Sequence, residues 1–445
     1  MTSSVHCQLY DCIVVGGGSA GCAAAAAAAG AGCATLLLER HGFLGGMGTA
    51  AGLSAFINYH HRRENLALSF YRTLVGDLTQ AGATYPAEAG NVDIFEPEAL
   101  KRALESRLAA IGVKITFHTA LVRLDREGDE WVLQVLQRNG LASLRARYLV
   151  DATGDAEVAT QAGANTTQGR RSDGKTQPLT MVVQLGGVDP EEFGRRMRPL
   201  LHGRYVFASD CLAAEIAEAR TRGEWQIPRQ QISRFWSMPW DSSRVTINGT
   251  RILGRNACDA EDLSAAEIEG RRQAWDLAAF FARYVPGFSR ARLVQTGPQV
   301  GVRETRRIVG RATLTEADVL GSRRPADSVV FCSYPIDIHH PDDHGSDFDL
   351  RQDFCYGIPL GCLIPQNVPN LIAAGRCISA THEAAGSFRV MPTCMNLGQA
   401  AGTAVGLAHA RGIRLAEVDG VAVRALIGGG DETPREAPRA VNAPY

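Results

Sequence analysis

The sequence contains no CxxC motif, although it has 11 cysteines among its 445 residues. This absence excludes a thioredoxin-like redox pair and the closely spaced ligands of zinc ribbons and iron–sulfur clusters. Scattered cysteines in a long chain are typical of small buried side chains in a reducing compartment. We therefore expect free thiols and a cytoplasmic protein.

An excess of basic charge is also missing, since 46 Lys and Arg residues face 47 Asp and Glu residues and the formal net charge is −1. Proteins that bind nucleic acid usually carry a basic excess, so we expect no nucleic-acid partner. Hydrophobic residues make up 45% and charged residues 21%, which is typical of a globular chain. The length suggests about two or three domains.

Charged residues are absent from residues 12–38, a stretch long enough to span a bilayer. The basic segment that opens a signal peptide does not precede it, however. The stretch is rich in alanine and contains six glycines, so its hydrophobicity per residue is low. It is better interpreted as a buried strand, turn and helix, and we predict neither a membrane segment nor export.

A strand, a glycine-rich turn and a helix are predicted at the start of the chain. The apolar residues 11–15 lead into Gly16, and alanine-rich residues 19–29 form the predicted helix, which Gly30 ends. A second apolar strand at residues 34–39 finishes with Glu39. This order predicts a βαβ unit with parallel strands and a right-handed crossover.

The turn itself has the pattern Gly16-x-Gly18-x-x-Gly21, which in this context indicates a dinucleotide site. Gly16 permits the tight turn, and Gly18 allows a pyrophosphate to approach the backbone. Gly21 lets the helix lie close to the sheet, so that its N–H groups face the phosphates. The carboxylate of Glu39 would bind ribose hydroxyls and repel a 2′-phosphate.

Two later segments favour FAD over NAD. A strand at residues 145–150 delivers Asp151 and Asp155 beside the first turn, and another at residues 371–374 runs into Gly375. A flavin is longer than a nicotinamide ribose and needs such a strand, and the helix predicted at residues 392–410, to hold it. The positive end of that helix would stabilise negative charge on the ring. Close packing of the helix is expected along a bare stripe, Gly398, Gly402 and Gly406.

These segments resemble the FAD-dependent oxidoreductase family of the glutathione-reductase (two-dinucleotide-fold flavoprotein) superfamily. The matching pieces are residues 15–25, 44–49, 151–159, 301–310, 333–339 and 374–404. The resemblance implies an α/β fold in which a β-rich α+β substrate domain is inserted into a Rossmann-like domain that binds FAD non-covalently. The cofactor contacts that it implies are Gly16, Gly18, Ser19, Ala20, Gly21, Glu39, Arg40, Gly45, Gly46, Met47, Asp151, Gly154, Asp155, Gly375, Arg376, Met395 and Asn396.

The sequence departs from the family pattern at residues 358–361, which read Ile-Pro-Leu-Gly. Similar proteins often have Tyr-Arg after the Ile-Pro, so the substrate is not assigned by analogy. The predicted division assigns residues 1–58, 91–172 and 351–426 to the FAD-binding domain. It assigns residues 59–90 to an insert of helix and loop near the flavin, 173–350 to the substrate domain and 427–445 to a flexible tail.

Several residues are candidates for the chemistry. His60 or His61 could remove a proton as hydride leaves the substrate, although a polar surface turn would also explain them. Arg303 and Arg306 could bind a carboxylate substrate through two hydrogen bonds each, or could form an internal salt bridge with Glu304. The family motif also places two further residues near the ring, His382 and Arg389.

Residues 337–344 contain three histidines and three aspartates, a composition that could bind a divalent ion. Their first residues belong to the family pattern, however, where no metal is implied, and the rest is typical of a polar turn. We therefore predict no metal site.

The chain has no second GxGxxG and no late GDxxHxxP pattern. It therefore lacks the built-in pyridine-nucleotide domain of disulfide reductases and the signature of aromatic hydroxylases. We expect a dehydrogenase or oxidase that moves a hydride from a small organic substrate to flavin N5. The alternatives are a flavin monooxygenase of a biosynthetic pathway, with NAD(P)H as a transient reductant, and a nucleotide-binding scaffold or RNA-modification partner. A homo-oligomer is left open.

Overall fold

The computed structural model describes residues 8–57, 59–62, 64–85, 92–197, 201–202, 205–207, 212–232, 234–342, 345–348 and 354–428. Most of the predicted tail, residues 429–445, lies outside them. Within the described part, no helix is both long and apolar enough to cross a lipid bilayer. All cysteines described are free thiols, and most are buried.

The first part of the chain begins with a βαβ unit and continues through a meander of strands. Its elements are β1 (Gln8–Val15), α1 (Ser19–Gly30), β2 (Thr35–Leu38), β3 (Ala55–Ile57), β4 (His60–His61), β5 (Glu64–Asn65), α2 (Ser69–Gln80), β6 (Val92–Ile94), α3 (Pro97–Ala110), β7 (Lys114–Thr116), β8 (Ala120–Glu127), β9 (Glu130–Gln137), β10 (Gly140–Asp151), α4 (Glu157–Gln161) and β11 (Thr166–Gln168).

The middle part is built around antiparallel strands and one long helix. Its elements are β12 (Val183–Gly186), α5 (Pro190–Met197), β13 (Leu201–His202), β14 (Tyr205–Phe207), α6 (Ala213–Thr221), β15 (Arg234–Ser237), β16 (Val245–Ile247), α7 (Ala260–Tyr284) and β17 (Arg292–Thr296).

The last part returns to the first with short strands and a second long helix. Its elements are β18 (Arg306–Ile308), α8 (Glu316–Leu320), β19 (Ser328–Cys332), β20 (Asp337–His339), β21 (Ser346–Phe348), β22 (Tyr356–Pro359), β23 (Leu371–Ala373), α9 (His382–Phe388), α10 (Met391–Arg411) and α11 (Gly420–Gly428).

The main sheet has seven strands in the order β7-β2-β1-β10-β9-β8, with β23 also paired to β10. Strands β7, β2, β1, β10 and β23 are parallel to one another, which confirms the predicted Rossmann-like α/β fold. The outer edge of β10 pairs first with β9 and then, over its last three residues, with β23. The carboxyl ends of β1, β10 and β23 therefore meet at one edge of the sheet, where ligands of such folds bind.

The helices predicted at residues 19–29 and 392–410 agree with α1 and α10 to within one residue at each end, while strand β8 was missed. Helix α3 buries Leu100, Leu104 and Leu108, whose spacing of four residues places them on one face of the helix. Strand β10 begins at Gly140, five residues before the predicted start, and β8 was not predicted. Its pairing with β9 shifts register between Leu121 and Arg123, so the alternation of buried and exposed side chains that identifies a strand is interrupted.

Helices α1 and α10 pack directly against each other through glycine. A Cβ at Gly398 would lie 2.0 Å from the carbonyl oxygen of Ala20, and one at Gly402 would lie 2.1 Å from that of Ala24. At Gly406 a Cβ would lie 2.3 Å from the Cβ of Ala31. The predicted glycine stripe is therefore confirmed as the surface on which the two helices approach.

A second sheet of six strands has the order β13-β14-β15-β16-β12-β17, and α7 lies against it. Its buried side chains form a separate apolar cluster that extends from Leu179 to Val300. The buried side chains from Ile308 to Ile338 belong instead to the larger cluster around the main sheet. The domain boundaries stay a prediction, but this packing shows where the two cores divide.

Candidate active site

The glycine-rich turn between β1 and α1 cannot accept larger residues at two positions. Gly16 has a positive φ of 102°, and a Cβ there would lie 2.6 Å from the carbonyl oxygen of Ala152. A Cβ at Gly21 would lie 1.8 Å from the carbonyl oxygen of Gly16. Both positions therefore hold the turn against the end of β10.

Gly18, in contrast, faces open space. It precedes the first residue of α1 with a φ of −74°, and a Cβ there would meet nothing nearer than the Cα of Gly46, 3.7 Å away. No side chain of the described residues caps α1, and its first turn has no acidic residue. The N-terminal N–H groups of α1 are therefore available to an anion such as a diphosphate.

Glu39, at the end of β2, is buried and fixes the turn from the other side. Its Oε2 accepts a hydrogen bond of 2.7 Å from the backbone N–H of Gly17, and its Oε1 accepts one of 2.8 Å from that of His41. A carboxylate offers about four acceptor positions, so these bonds leave capacity for the hydroxyls of a ribose.

Asp155 and Arg376 form an ion pair where β10 and β23 end. Nη2 of Arg376 lies 2.5 Å from Oδ1 of Asp155, which also accepts a 2.8 Å hydrogen bond from the hydroxyl of Thr305. Burial alone would raise the pKa of Asp155, but Arg376 and Thr305 together hold that pKa below its ordinary value. The buried Nε of Arg376 has no hydrogen-bond partner among the described residues.

The start of helix α10 borders the same cavity. Val390, Met391 and Cys394 line it, and Pro392 occupies the first turn, where its missing N–H is not needed. The first turn of α10 has neither a capping side chain among the described residues nor an acidic residue. Its positive dipole end therefore lies at the cavity, and the placement of the flavin ring beside it stays a prediction.

One continuous cavity joins these features to a polar group on the middle and last parts of the chain. At that end it is lined by Thr180, Arg234, Trp236, Asn248, Arg303, Tyr334, Asp337 and Arg389. The cavity thus connects the N-terminus of α1 with a cluster of guanidinium groups.

Most of the predicted cofactor contacts line this cavity: Gly16, Gly18, Ser19, Ala20, Glu39, Arg40, Gly46, Met47, Gly154, Asp155, Gly375 and Arg376. The remaining ones are not among the lining residues: Gly21, Gly45, Asp151, Met395 and Asn396. Asp151 accepts hydrogen bonds from the N–H groups of Thr153 and Ala159 and so holds the turn after β10. The side-chain amide of Asn396 bonds to the backbone of Leu66 and Leu68.

Two of the candidates for chemistry, Arg303 and Arg389, line the cavity. His60 and His61 instead form strand β4, half-buried in a hairpin with β5, and are not among the lining residues. Arg306 also lies outside the lining, because its Nε donates a 3.0 Å hydrogen bond to the backbone carbonyl of Asp155.

His382 is buried beside Glu304, with 2.9 Å between Nδ1 and Oε1. Glu304 also forms a buried ion pair with Arg307 and accepts a hydrogen bond from the N–H of Gln177. The salt bridge that the sequence left open for Arg303 or Arg306 is therefore formed by Arg307. It leaves Arg303 to donate to the carbonyl of Pro178 and the hydroxyl of Thr180.

No catalytic or binding role was predicted for Arg234, Tyr334 or Asp337, all of which line the cavity. Tyr334 and Asp337 lie in residues 333–339, which matched the family pattern, and this was the available signal. Asp337 was considered only as part of a metal loop. No group of three metal-binding side chains occurs among the described residues, and Asp343 and His344 lie outside them.

The lining residues fit a dinucleotide. Gly18 leaves a space that a Cβ would fill, beside the N-terminus of α1, which no side chain of the described residues caps. Gly154 also lines the cavity, in the turn after β10. It has a φ of 78°, and a Cβ there would lie 2.8 Å from Cζ of Arg376, so a larger residue would not fit. Arg40 also lines the cavity and could contribute positive charge for phosphates, and Glu39 could accept hydrogen bonds from a ribose.

A family model described as FAD dependent oxidoreductase matches residues 11–427. A comparison with curated proteins found no match.

Several solved structures match this chain at low identity. OxyS anhydrotetracycline hydroxylase from Streptomyces rimosus is 15% identical with a TM-score of 0.44, and the match covers 91% of this chain but only 63% of that one. The p-nitrophenol 4-monooxygenase PnpA from Pseudomonas putida is 15% identical with a TM-score of 0.44, covering 96% and 82%. A geranylgeranyl bacteriochlorophyll reductase-like protein from Thermoplasma acidophilum is 13% identical with a TM-score of 0.44, covering 95% and 91%.

Proposed function

Because the chain belongs to the FAD-dependent oxidoreductase family, we propose that it is a dehydrogenase or oxidase of a small organic substrate. The observation that carries the proposal is the single cavity that joins the N-terminus of α1 to Arg303, Tyr334 and Arg389. Bound FAD supplies a two-electron acceptor for a hydride from the substrate. The protein must supply binding, orientation and proton transfer.

The residues that would hold FAD lie at the ends of β1, β2, β10 and β23. The N–H groups of Ser19 and Ala20 would receive the diphosphate, and Glu39 would receive the adenosine ribose. The ion pair of Asp155 and Arg376 would border the middle of the cofactor. The uncapped start of α10 would place positive potential at the flavin ring.

Arg303 and Arg389 would bind and orient the substrate at the other end of the cavity. Arg303 is held by the carbonyl of Pro178, and Nη2 of Arg389 donates a 2.9 Å hydrogen bond to the carbonyl of Asp337. These bonds fix the direction of both guanidinium groups, so little conformational freedom is lost on binding.

Tyr334 is our candidate for proton transfer, in place of His60 or His61, because it lines the cavity and the two histidines are not among the lining residues. It donates a 3.1 Å hydrogen bond to Oδ2 of Asp337. The neighbouring arginines hold the pKa of Asp337 well below its ordinary value despite burial, so this carboxylate stays ionised and orients the phenol. Replacing Tyr334 by Phe is expected to lower kcat by about 10²–10⁴-fold. His60→Gln is the matched comparison, and a larger loss in that variant would return the role to the histidine.

The proposal is tested on purified protein. The protein should be yellow, release FAD on denaturation and lose its flavin absorbance anaerobically with one member of a panel of alcohols, amines and hydroxy acids. Rapid bleaching by NADPH in the absence of substrate would favour the monooxygenase instead. A colourless protein that reconstitutes only with NAD would overturn the proposal.

A further inference from the structure

A cluster of buried or half-buried arginines surrounds one carboxylate at the substrate end of the cavity. The arginine cluster consists of Arg229, Arg234, Arg251, Arg303 and Arg389, and the carboxylate is that of Asp337, which is 2% exposed. Arg234 approaches Oδ2 of Asp337 to 3.3 Å and Arg389 approaches it to 3.5 Å. The members come from the middle and last parts of the chain, so only the folded protein brings them together.

The cluster has a face toward the cavity and a layer behind it. Arg234, Arg303 and Arg389 line the cavity, whereas Arg229 and Arg251 do not. Arg251 donates hydrogen bonds of 2.7 Å to the carbonyls of His340 and Gly345. On the cavity face, the buried Nε of Arg389 has no hydrogen-bond partner among the described residues, and the same is true of the Nε of Arg229 in the layer behind. The cavity face therefore retains donor capacity that the described protein groups do not use.

The arginines repel one another strongly. Burial lowers the pKa of Arg303 well below its ordinary value, and the charges of Arg389 and Arg229 lower it further. Burial, with the charges of Arg251 and Arg234, lowers the pKa of Arg229 to about 9. Taking several like charges out of water is costly unless an opposite charge accompanies them.

Asp337 does not balance this charge alone, and neighbouring acids are engaged elsewhere. The carboxylate of Glu304 binds Arg307 and His382. Asp342 forms ion pairs with Lys175 and Arg170 on the surface. Within the described part of the chain, positive charge therefore exceeds negative charge at the cavity face of the cluster.

We propose that the arginine cluster is a binding site for a substrate that carries at least two negative charges, as carboxylates or as a phosphate ester. This inference rests on the proposed function, since it identifies the substrate class of the same cavity. The planar guanidinium forks match the oxygen pairs of carboxylate and phosphate, and Arg303 and Arg389 line the cavity together with Thr180 and Tyr334. A single charge would leave the cluster mostly uncompensated.

The test is a binding titration of the FAD-loaded protein with malonate, succinate, glutarate and inorganic phosphate. The readouts are the melting temperature and the flavin absorbance difference spectrum. Sodium chloride at matched ionic strength and the neutral compound succinamide are the controls. We expect at least one dianion to raise the melting temperature in a saturable manner, while succinamide and chloride do not. Saturation by a dicarboxylate alone assigns carboxylates, saturation by phosphate alone assigns a phosphate ester, and either supports the proposal.

Variants locate the binding. The double variant Arg303→Gln/Arg389→Gln is expected to weaken the dianion Kd at least tenfold, whereas Arg222→Gln, an exposed arginine on the surface, should leave it unchanged. The single variant Arg303→Lys keeps the charge but loses the fork, and should weaken binding less than the double variant. The wild-type titration is independent of whether a variant folds.

The proposal is overturned if no dianion saturates beyond the effect of chloride, or if the double variant folds and retains the wild-type affinity. These measurements need no turnover, so they separate the two proposals. Suppose that the protein is yellow and binds a dianion, but that no substrate reduces its flavin. That result would contradict the proposed dehydrogenase or oxidase function and leave the proposed dianion site intact.

Discussion

The guanidinium of Arg376 lies 2.5 Å from the carboxylate of Asp155, although 221 residues separate them in the chain. The contact joins the turn after β10 to the turn after β23 at the edge of the sheet where the cavity opens. Both side chains are mostly buried, so each depends on the other for compensation of its charge.

Asp155→Asn should therefore destabilise the protein strongly. Removing one partner leaves the charge of Arg376 buried and unpaired, which typically costs about 3–5 kcal/mol. The matched control is Asp125→Asn, which breaks the exposed pair with Arg123 and should cost less than about 1 kcal/mol. Urea unfolding of both variants measures the difference, and equal losses would contradict the structural role given to the Arg376 pair.

Gly18→Ala should separate cofactor binding from folding. An added Cβ meets only the Cα of Gly46 at 3.7 Å, and the φ of −74° suits alanine, so the free energy of unfolding should change little. The same methyl group would occupy the space before the N-terminus of α1, so FAD content after purification should fall at least tenfold.

Gly21→Ala and Gly30→Ala are the comparisons for this prediction. A Cβ at Gly21 would lie 1.8 Å from the carbonyl oxygen of Gly16, so this variant should lose about 1–3 kcal/mol of stability or more as well as FAD. At Gly30 nothing lies within 4 Å, and the variant should keep both. Full FAD content in Gly18→Ala would show that the space beside Gly18 is not occupied by the FAD diphosphate.

Gly402→Ala should disrupt the contact between α1 and α10. Its Cβ would lie 2.1 Å from the carbonyl oxygen of Ala24, and the two backbones would have to separate at a cost of about 1–3 kcal/mol. Gly76→Ala is the control, because it is exposed in the interior of α2 with no atom within 4 Å. That change should stabilise the protein by about 0.5–1 kcal/mol. If the melting temperatures of Gly402→Ala and Gly76→Ala move in the same direction, the close contact of α1 and α10 at Gly402 is contradicted.

The sequence predicted the sheet and the cofactor end of the site because local patterns encode them. Strand β1, the turn at Gly16 and helix α1 follow one another within 30 residues. Each can be recognised from the type and spacing of its own residues. Strand β8 was missed because its register shift interrupts the alternation that identifies strands.

The substrate end was predicted less well, because tertiary contacts decide it. Arg303, Arg306 and Arg307 lie within five residues and are equivalent as a pattern. In the structure, Arg303 lines the cavity. Arg306 donates a hydrogen bond to the carbonyl of Asp155, and Arg307 forms an ion pair with Glu304. Arg234 and Asp337 are 103 residues apart, so no local signal could have joined them.

The acid stability of the protein should depend on Asp337. The arginine cluster holds its pKa well below the ordinary value even though burial opposes this. A carboxylate with a depressed pKa in the folded state contributes stability above the pKa of the unfolded chain, near 3.9, and loses it as the pH falls toward the folded value. Asp337→Asn should therefore be less stable than the wild type by about 3–5 kcal/mol at pH 7, because the arginines lose their carboxylate.

This difference should shrink as the pH falls below about 4, since the wild type then progressively loses the same contribution. Urea unfolding at pH 7, 5, 4, 3 and 2 gives the two stability curves. A repeat in 1 M sodium chloride screens exposed pairs, such as Asp342 with Lys175, and leaves the buried interaction of Asp337 largely intact. Parallel curves for wild type and Asp337→Asn in both salts would show that Asp337 is not the carboxylate stabilised by the cluster.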